Sequence, residues 1–274
     1  MDLTSTVKLN NGVQMPWLGF GVFQVKPGQE TEQAVRWALE IGYRHIDTAA
    51  LYANEADVGR AIRDSGVPRE SIFVTTKVWN SEQGYDSTLR AFDKSRTALG
   101  IDVVDLYLVH WPVKGKSRDT WRALEKILAD GKVRAIGVSN FFAHHLKEIL
   151  TSSSIVPAVN QVEFHPFLVQ EDLLAFDAKT GIQHEAWSPL LRGRNLDNPI
   201  LVEIARKHGK TTAQVILRWD IQKGVVTIPR STRRERILEN SQIFDFTLEP
   251  GEVRAITGLD NGTRVGPHPD TINF

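Results

Sequence analysis

Short apolar runs alternate with amphipathic stretches along almost the whole chain. The eight runs read WLGFG, YRHID, IFVTTK, VDLYLVH, VRAIGVSN, AVNQVEF, IQHEAW and VVTIP, and each is typical of a buried strand. Between them, apolar residues recur at helical spacing, as in ETEQAVRWALEIG, SRDTWRALEKILADG and residues Gln170–Gly181. Because strands and helices alternate eight times, the pattern predicts an α/β fold with a parallel sheet closed into a (β/α)8 TIM barrel.

Two segments lie outside this eightfold repeat. At the N-terminus, TVKL and VQMP flank a turn at Asn10–Gly12, which predicts a β-hairpin. Before the last run, Ile200–His208 and Thr211–Lys223 both have helical patterns, so the barrel is expected to carry extra helices, two in all. No linker or low-complexity segment divides the chain, and residues 1–274 are expected to form a single domain.

Composition narrows the possible chemistry. The 274 residues include 33 Lys+Arg and 33 Asp+Glu, so no net charge favours nucleic acid or an acidic membrane. The chain has no cysteine, which excludes disulfides, zinc–thiolate sites, iron–sulfur clusters and a cysteine nucleophile. The N-terminus lacks a signal-peptide pattern, and no apolar run approaches the ~18–20 residues of a membrane span. We therefore expect a cytoplasmic monomer without nucleic-acid or membrane partners.

Polar and aromatic residues stand at the carboxyl ends of the predicted strands, where packing does not require them. They are Asp47, Lys77, His110, Ser139, Asn140, Gln161, Glu163, Trp187, Arg230 and Ser231. In a barrel these ends share one rim, and barrel enzymes carry their active sites there. A single residue of this kind is more often an ordinary solvated strand end, but a whole series in phase predicts a site.

Proton donation to a substrate oxygen is the chemistry suggested by four residues near this rim: Asp47, Tyr52, Lys77 and His110. A phenol has an ordinary pKa of ~10, too high for easy donation near neutrality. We expect the Lys77 ammonium to lower the pKa of Tyr52, and Asp47 to hold that ammonium charged and in place. His110 is expected to add a hydrogen bond to the same oxygen. This arrangement fits protonation of a carbonyl oxygen while a cofactor supplies the attacking group, such as hydride.

The segment PRSTRRERILEN, residues 229–240, concentrates positive charge in an otherwise neutral chain. Thr232 and Glu235 have the spacing of a capping box, which predicts that a helix begins there. The free amides of a helix N-terminus favour an anion. Four arginines strengthen that preference: Arg230, Arg233, Arg234 and Arg236. A solvated basic helix face is the alternative. A nucleic-acid patch is disfavoured, because the chain has no second basic segment to contact the phosphates of a nucleic-acid backbone.

Long motifs carry a family resemblance. They are GYRHIDTAALYANE, FVTTKVWN, DLYLVHWP, AIGVSNF, VNQVEFHP, AWSPL, and IPRSTRRERILEN followed by FDF. Over essentially its whole length the chain resembles prokaryotic aldo-keto reductases of the 2,5-diketo-D-gluconate and glyoxal/methylglyoxal reductase group. The resemblance implies that the N-terminal hairpin caps the bottom of the barrel. It also implies NADPH-dependent reduction of small aldehydes and ketones, such as α-dicarbonyls or keto-sugar acids, by hydride transfer with Tyr52 as general acid.

The resemblance also implies roles for individual residues. The catalytic tetrad comprises Asp47, Tyr52, Lys77 and His110, and no metal is implied. The implied contacts with the NADPH cofactor are Val22, Ser139, Asn140, Gln161, Trp187, Ser188, Leu190, Arg230, Ser231, Thr232, Arg233, Arg236, Glu239 and Asn240. In this scheme the Ser139, Asn140 and Gln161 side chains hold the nicotinamide carboxamide. The arginines and Ser231 surround the 2′-phosphate, with Glu239 and Asn240 near the adenine.

Two residues depart from the commonest family pattern. Trp187 stands where Tyr is frequent as the residue stacked on the nicotinamide ring, and any large π-face serves for stacking. Arg230 stands where a Lys is usual after the proline of the last strand. It keeps the positive charge but offers a planar fork rather than a point ammonium.

An aromatic substrate pocket is expected from Phe23, Trp79, His110 and Trp111, with the choice of substrate depending on loop 189–198 and the tail after Leu259. Three alternatives fit less well. A non-catalytic member of the fold has no need of the tetrad, and a carbon–carbon double-bond reductase typically carries Glu in place of His110. A barrel hydrolase needs paired rim carboxylates or metal ligands. Five further histidines show no metal-ligand spacing, and structural or solvated roles are predicted for them: His144, His145, His165, His184 and His268.

Overall fold

A closed sheet of parallel strands forms the centre of the protein in the computed structural model, which describes residues 1–272. Ten strands occur within that range: β1 (Thr6–Lys8), β2 (Gln14–Pro16), β3 (Phe20–Gly21), β4 (His45–Asp47), β5 (Phe73–Val78), β6 (Val104–Val109), β7 (Val133–Ser139), β8 (Val159–Glu163), β9 (Gln183–Trp187) and β10 (Val226–Thr227). Strands β1 and β2 form an antiparallel hairpin, and β3 to β10 form an eight-stranded parallel sheet in chain order.

The parallel sheet closes on itself between β3 and β10. Leu18 and Thr227 form a parallel bridge. The Thr227 N–H donates to Trp17 O at 3.1 Å, and the Gly19 N–H donates to Thr227 O at 2.9 Å. These bonds pair the two strand edges that an open sheet exposes. The predicted (β/α)8 barrel is confirmed.

The hairpin covers the amino end of the barrel, as predicted. Asn10 Nδ2 donates to Pro157 O at 3.0 Å, and Asn11 Nδ2 donates to Arg134 O at 2.9 Å, which ties the turn to the starts of β8 and β7. Leu9 and Met15 pack against a buried layer from the barrel interior. The bottom of the barrel is therefore closed and apolar, and the open end lies at the opposite rim.

Ten helices surround the barrel within the described residues: α1 (Gln29–Ile41), α2 (Glu55–Arg63), α3 (Tyr85–Leu99), α4 (Ser117–Ala129), α5 (Ala143–Leu150), α6 (Glu171–Thr180), α7 (Pro199–His208), α8 (Thr212–Gln222), α9 (Arg234–Ser241) and α10 (Pro250–Thr257). Helices α7 and α8 both lie between β9 and β10, as their patterns predicted. Helices α7 and α10 are the two beyond the eight of a barrel. No helix in the described part of the chain is long and apolar enough to cross a bilayer.

Helix α1 illustrates how the sequence builds this outer layer. Its apolar residues at helical spacing, including Ala34, Val35 and Ala38, are buried against the barrel. The helix ends at Gly42, whose φ of 117° suits glycine and permits two closing bonds to Ala38 O and Leu39 O. The chain then enters β4, which carries Asp47 to the rim.

The predicted capping box at the start of the basic helix is wrong. Helix α9 begins at Arg234 with Arg233 as its N-cap, and no side chain among residues 1–272 caps it. Ser231 Oγ accepts a hydrogen bond from the Arg233 N–H at 3.1 Å, and this local turn displaces Thr232 from the capping position. The arginines nevertheless remain in the first turn and just before it.

Candidate active site

A large cleft opens at the carboxyl ends of the barrel strands and has a volume of about 1340 Å³. It runs from the strand ends to the first turn of α9. The predicted site residues that line it are Phe23, Asp47, Tyr52, Trp79, His110, Trp111, Ser139, Asn140, Gln161, Trp187, Ser188, Leu190, Arg230, Ser231, Thr232, Arg233, Arg236, Glu239 and Asn240. The structure thus brings nearly the whole predicted set to one continuous surface.

Asp47 and Lys77 form a buried ion pair beneath Tyr52. Lys77 is fully buried, and its Nζ lies 2.7 and 2.8 Å from the two carboxylate oxygens of Asp47. The same ammonium donates to Thr48 O at 2.9 Å and reaches the Tyr52 hydroxyl at 3.5 Å. All three ammonium donors therefore point at fixed acceptors, and the charge is held beside the phenol.

Burial changes the expected titration of these groups. Burial raises the pKa of Tyr52 to about 12, and Lys77 acts in the opposite direction without reversing the shift. Burial lowers the pKa of Lys77, but Asp47 and then Tyr52 raise it by more, so the ammonium stays charged. Lys77 therefore lowers the pKa of Tyr52, as expected, but desolvation of the phenolate outweighs the neighbouring cation, and the net pKa lies above its usual value.

His110 faces Tyr52 across the floor of the cleft. Their ring centroids are 5.7 Å apart, and the Trp79 ring lies 5.2 Å from the histidine on another side. Burial, aided by the charge of Lys77, holds the pKa of His110 well below its usual value. The imidazole is therefore neutral near pH 7, and it is able to donate one N–H hydrogen bond without adding charge.

Side chains from three neighbouring strand ends form a hydrogen-bonded array beside the ion pair. Asn140 has a left-handed φ of 64°, and its Nδ2 donates to His110 O and to Ser139 Oγ, each at 3.0 Å. Trp187 Nε1 donates to Asn140 Oδ1 at 2.8 Å, which fixes the indole at the edge of the cleft. Gln161 Nε2 donates to Asp47 Oδ2 at 2.8 Å. Gln161 is therefore tied to the ion pair, whereas Asn140 links Trp187 to Ser139 and to the His110 backbone.

The far end of the cleft is basic and solvated. Arg230, Arg233 and Arg236 are exposed, and within the described residues none of them lies within 4 Å of a carboxylate. Ser231 is buried beside them, and its hydroxyl is anchored to the Arg233 backbone. Asn240 is also buried at this end. The result is a cluster of uncompensated cations that is open to an anionic ligand.

Two predicted residues do not line the cleft. Lys77 lies behind it, where its contact with Tyr52 places it. Val22 is fully buried in the core, its N–H donates to Asp47 O at 3.0 Å, and its O accepts from Asn54 Nδ2 at 3.1 Å. The structure therefore makes Val22 a support for the loop after β3, and its contact with a cofactor stays a prediction.

Sequence reasoning missed two residues at this site, Glu185 and Arg192. Glu185 is fully buried on β9 and accepts a hydrogen bond from Gln161 Nε2 at 3.0 Å. Arg192 lines the cleft with its guanidinium 6.0 Å from the centre of the Phe23 ring. A charged residue inside the apolar run IQHEAW is the signal that points to Glu185, whereas Arg192 lies in a loop whose path has no sequence signature.

The C-terminal tail forms part of the cleft wall, and Glu163 holds it there. The Glu163 carboxylate accepts hydrogen bonds from the N–H groups of Val265 (2.5 Å) and Gly266 (3.2 Å). A Cβ added at Gly266 lies 2.3 Å from Trp187 Cη2, so only glycine permits this close approach. The sequence places Glu163 at a strand end without indicating a role, and in the structure its carboxylate anchors the tail.

His144 and His145, for which the sequence predicts only structural or solvated roles, lie close to Asp270 of this tail. Asp270 Oδ1 lies 3.0 Å from His144 Nε2 and 3.3 Å from His145 Nε2, a grouping of the kind that holds metals. However, His145 Nδ1 accepts the Phe142 N–H at 3.1 Å, so its proton resides on Nε2 and points at Asp270. This hydrogen-bonding pattern favours a carboxylate contact over metal ligation.

Comparison with known proteins places this geometry in a family. The aldo/keto reductase family model matches residues 17–261. A glyoxal reductase from Bacillus subtilis (strain 168) is 57% identical over 273 residues, covering 100% of this chain and 99% of the relative. The crystal structure of MGS-M4, an aldo-keto reductase from a Medee basin deep-sea metagenome library, superposes with a TM-score of 0.96 at 45% identity, covering 98% of this chain and 100% of that one.

A second solved structure bears on the ligand. A variant of Gox0644 in complex with NADPH superposes with a TM-score of 0.94 at 42% identity, covering 98% of both chains. The family model matches most of the sequence, and the solved relatives share the barrel fold that carries the cleft. The chain belongs to the aldo/keto reductase family.

Proposed function

We propose that this protein reduces small aldehydes and ketones to alcohols with NADPH, and that Tyr52 donates the proton. The observation that carries the proposal is the buried Asp47–Lys77 pair beneath the Tyr52 hydroxyl. The Tyr52 ring faces the neutral His110 ring across the cleft floor. No other cluster lining the described cleft combines a proton donor, a fixed positive charge and a neutral hydrogen-bond donor. The alternatives of a non-catalytic member and a double-bond reductase are disfavoured by the full tetrad and by His110.

The chemistry of the cleft fits this cofactor. Uncompensated arginines at one end suit the 2′-phosphate that distinguishes NADPH from NADH. Ser139, Asn140 and Gln161 supply hydrogen-bonding groups for the carboxamide at the other end, and the Trp187 indole offers a face for the nicotinamide ring. When bound there, the cofactor supplies hydride to the carbonyl carbon.

Tyr52 and its neighbours carry the proton side of the reaction. A carbonyl oxygen placed between the Tyr52 hydroxyl and the His110 imidazole receives two hydrogen bonds. As negative charge develops on that oxygen, the phenol releases its proton, and the nearby Lys77 ammonium stabilises the phenolate that remains. Asp47 keeps that ammonium charged and fixed. The raised pKa of Tyr52 keeps the proton on the phenol until the carbonyl oxygen becomes basic enough to take it.

Small carbonyl compounds are the proposed substrate class. Phe23, Trp79 and Trp111 line the mouth of the cleft around Tyr52, with the Phe23 ring 5.0 Å from the Tyr52 ring. Apolar walls and few polar groups suit compact aldehydes and α-dicarbonyls such as methylglyoxal, and a relative named glyoxal reductase supports that choice. Keto-sugar acids are the second candidate, supported by Arg192, whose guanidinium lies over Phe23 at the mouth.

An assay of NADPH consumption over a panel of carbonyls tests the proposal. The panel contains simple aldehydes, α-dicarbonyls and keto acids, and Tyr52→Phe serves as the matched control that lacks only the phenolic oxygen. Turnover of at least one class by the wild type, lost in the control, is expected. If both proteins consume NADPH equally, Tyr52 is not the acid. If neither does so while both bind NADPH, carbonyl reduction is not the function. An Arg192→Ala variant that loses keto acids selectively supports the second candidate.

A further inference from the structure

Glu185 is a buried carboxylic acid directly behind the cleft floor. It lies in β9, is fully buried, and accepts a hydrogen bond from Gln161 Nε2 at 3.0 Å. The same Nε2 donates to Asp47 Oδ2 at 2.8 Å, so one amide group bridges two carboxyl groups. Gln161 itself lines the cleft, so a ligand that contacts Gln161 is linked to Glu185 through that one side chain.

The surroundings of Glu185 give little support to a negative charge. Among the described residues its Oε1 has no hydrogen bond, although buried carboxylates in proteins usually accept several. The group facing that oxygen is His45 Nε2 at 3.7 Å, which instead shares a hydrogen bond with Thr75 Oγ1 at 3.1 Å. Burial, together with the charge of Lys77, lowers the pKa of His45 to about 3, so this ring is neutral and does not compensate an anion.

Near neutral pH the net charge of this buried cluster depends on Glu185. Lys77 and Asp47 cancel each other, while Tyr52 and His110 are held uncharged by burial. Burial, followed by the charge of Asp47, raises the pKa of Glu185 to about 8. The cluster is therefore neutral when Glu185 is protonated and carries one negative charge when Glu185 is ionised.

The oxidised nicotinamide ring carries a positive charge that the reduced ring lacks, and charges interact strongly where water is excluded. We propose that Glu185 is a positioning residue that couples proton binding to the redox form of the cofactor: its ionised form favours NADP+, and its protonated form favours NADPH. The inference rests on the proposed function, which places the carboxamide at Gln161. By linkage, NADP+ binding at a pH near that of half-ionisation releases a proton from Glu185, and NADPH binding retains it.

The ratio of the two cofactor affinities, measured against pH, tests the coupling. Dissociation constants of NADPH and NADP+ are measured by quenching of tryptophan fluorescence at constant ionic strength, from about pH 6.5 to about pH 9.5. Both cofactors carry the same phosphates, so the ratio cancels the titration of those groups. In the wild type the ratio of the NADPH constant to the NADP+ constant is expected to rise about three- to tenfold over this range.

Two variants distinguish Glu185 from other buried acids. Glu185→Gln keeps the shape and cannot ionise, so its ratio is expected to stay flat. Asp220→Asn is the matched control, since Asp220 is also fully buried with a raised pKa but lies outside the cleft and hydrogen-bonds Thr227. The control is expected to keep the wild-type rise. A rise that persists in Glu185→Gln, or vanishes in Asp220→Asn, overturns the proposal.

Calorimetry of the wild type alone covers the case in which Glu185→Gln fails to fold. Binding heats at about pH 8 in two buffers of different ionisation enthalpy report protons released. NADP+ is expected to release more protons than NADPH, and equal release overturns the inference. Neither measurement needs a carbonyl substrate. A panel in which no carbonyl is reduced therefore contradicts the proposed function alone, whereas pH-independent affinities with normal turnover contradict only the coupling.

Discussion

The two ends of the cleft hold charge in opposite ways. At the floor, Asp47 and Lys77 are buried and matched within hydrogen-bonding distance. At the far end, Arg230, Arg233 and Arg236 are exposed and have no carboxylate partner within the described residues. A buried charge left unpaired is costly, whereas an exposed one is hydrated at little cost. The floor therefore suits chemistry that depends on fixed groups. The basic end suits selection of an anionic ligand, because its exposed charges cost the fold little stability.

The largest expected effect comes from removing the acid at the floor. Tyr52→Phe should lower kcat by ~10²–10⁴-fold, because general acid catalysis typically contributes that much. Cofactor binding should be unchanged, since the phenyl ring still fills the same space. Steady-state kinetics and fluorescence titration of NADPH on the same preparation measure both quantities. Near-normal turnover would remove Tyr52 from its proposed role.

Breaking the ion pair should cost both activity and stability. Lys77→Met leaves the Asp47 carboxylate buried without its cation, and such a loss typically costs ~3–5 kcal/mol of unfolding free energy. The activity should fall sharply because the phenolate loses its neighbouring charge. Denaturant unfolding and the pH profile of kcat measure the two effects.

A double variant separates the two losses. Asp47→Asn/Lys77→Met removes both charges, so stability should recover in part while activity stays low. If the double variant is as unstable as Lys77→Met, the loss comes from packing and not from an uncompensated charge.

At the exposed end, one arginine should alter selectivity and leave the fold intact. Arg236→Ala should weaken NADPH binding by roughly 10–100-fold, because a hydrogen bond to a charged group contributes ~1.5–3 kcal/mol. NADH affinity and the free energy of unfolding should barely change. Arg234→Ala is the matched control, as Arg234 is an arginine of the same turn that does not line the cleft. Equal loss for NADPH and NADH would assign Arg236 to holding α9.

The smallest expected effect is that of salt, and it should separate the two ends. Raising ionic strength from about 0.01 M to about 1 M shortens the screening length from ~30 Å to ~3 Å. The preference for NADPH over NADH should shrink several-fold, because the arginines that favour it are exposed. The pH profile of kcat should not move, since the ion pair at the floor is buried. A salt-independent preference would mean that the phosphate is bound in a desolvated pocket.

The sequence predicts which residues lie at the floor and the rim because the end of each apolar run marks the end of a strand. Asp47, Lys77 and His110 each follow an apolar run, and barrel topology alone brings such ends together. The sequence indicates the lowering of the Tyr52 pKa by Lys77 but not the larger rise caused by burial, because the depth of burial is a property of the assembled cleft. No spacing in the chain reveals whether desolvation or a neighbouring cation dominates.

Other misses have local or long-range causes. The predicted start of α9 is one residue too early, because the Ser231 hydroxyl accepts the Arg233 N–H and forms a local turn before the helix. Glu185 stands within an apolar run, and its contact with Gln161 depends on the stagger between β8 and β9. The approach of Gly266 to Trp187 joins residues far apart in sequence, which no local pattern encodes.

The bridge between Leu18 and Thr227 determines when the barrel can close during synthesis of the chain. The two residues are separated by about 200 residues, so at ~5–20 residues per second the ribosome needs on the order of 10–40 s to supply the second after the first. During that interval the apolar stretch WLGFG has no partner on its outer edge and is free to pair with other chains. The first barrel strand to be synthesised is thus the last to be enclosed, and slowed translation of the final quarter of the chain should lower the yield of native enzyme.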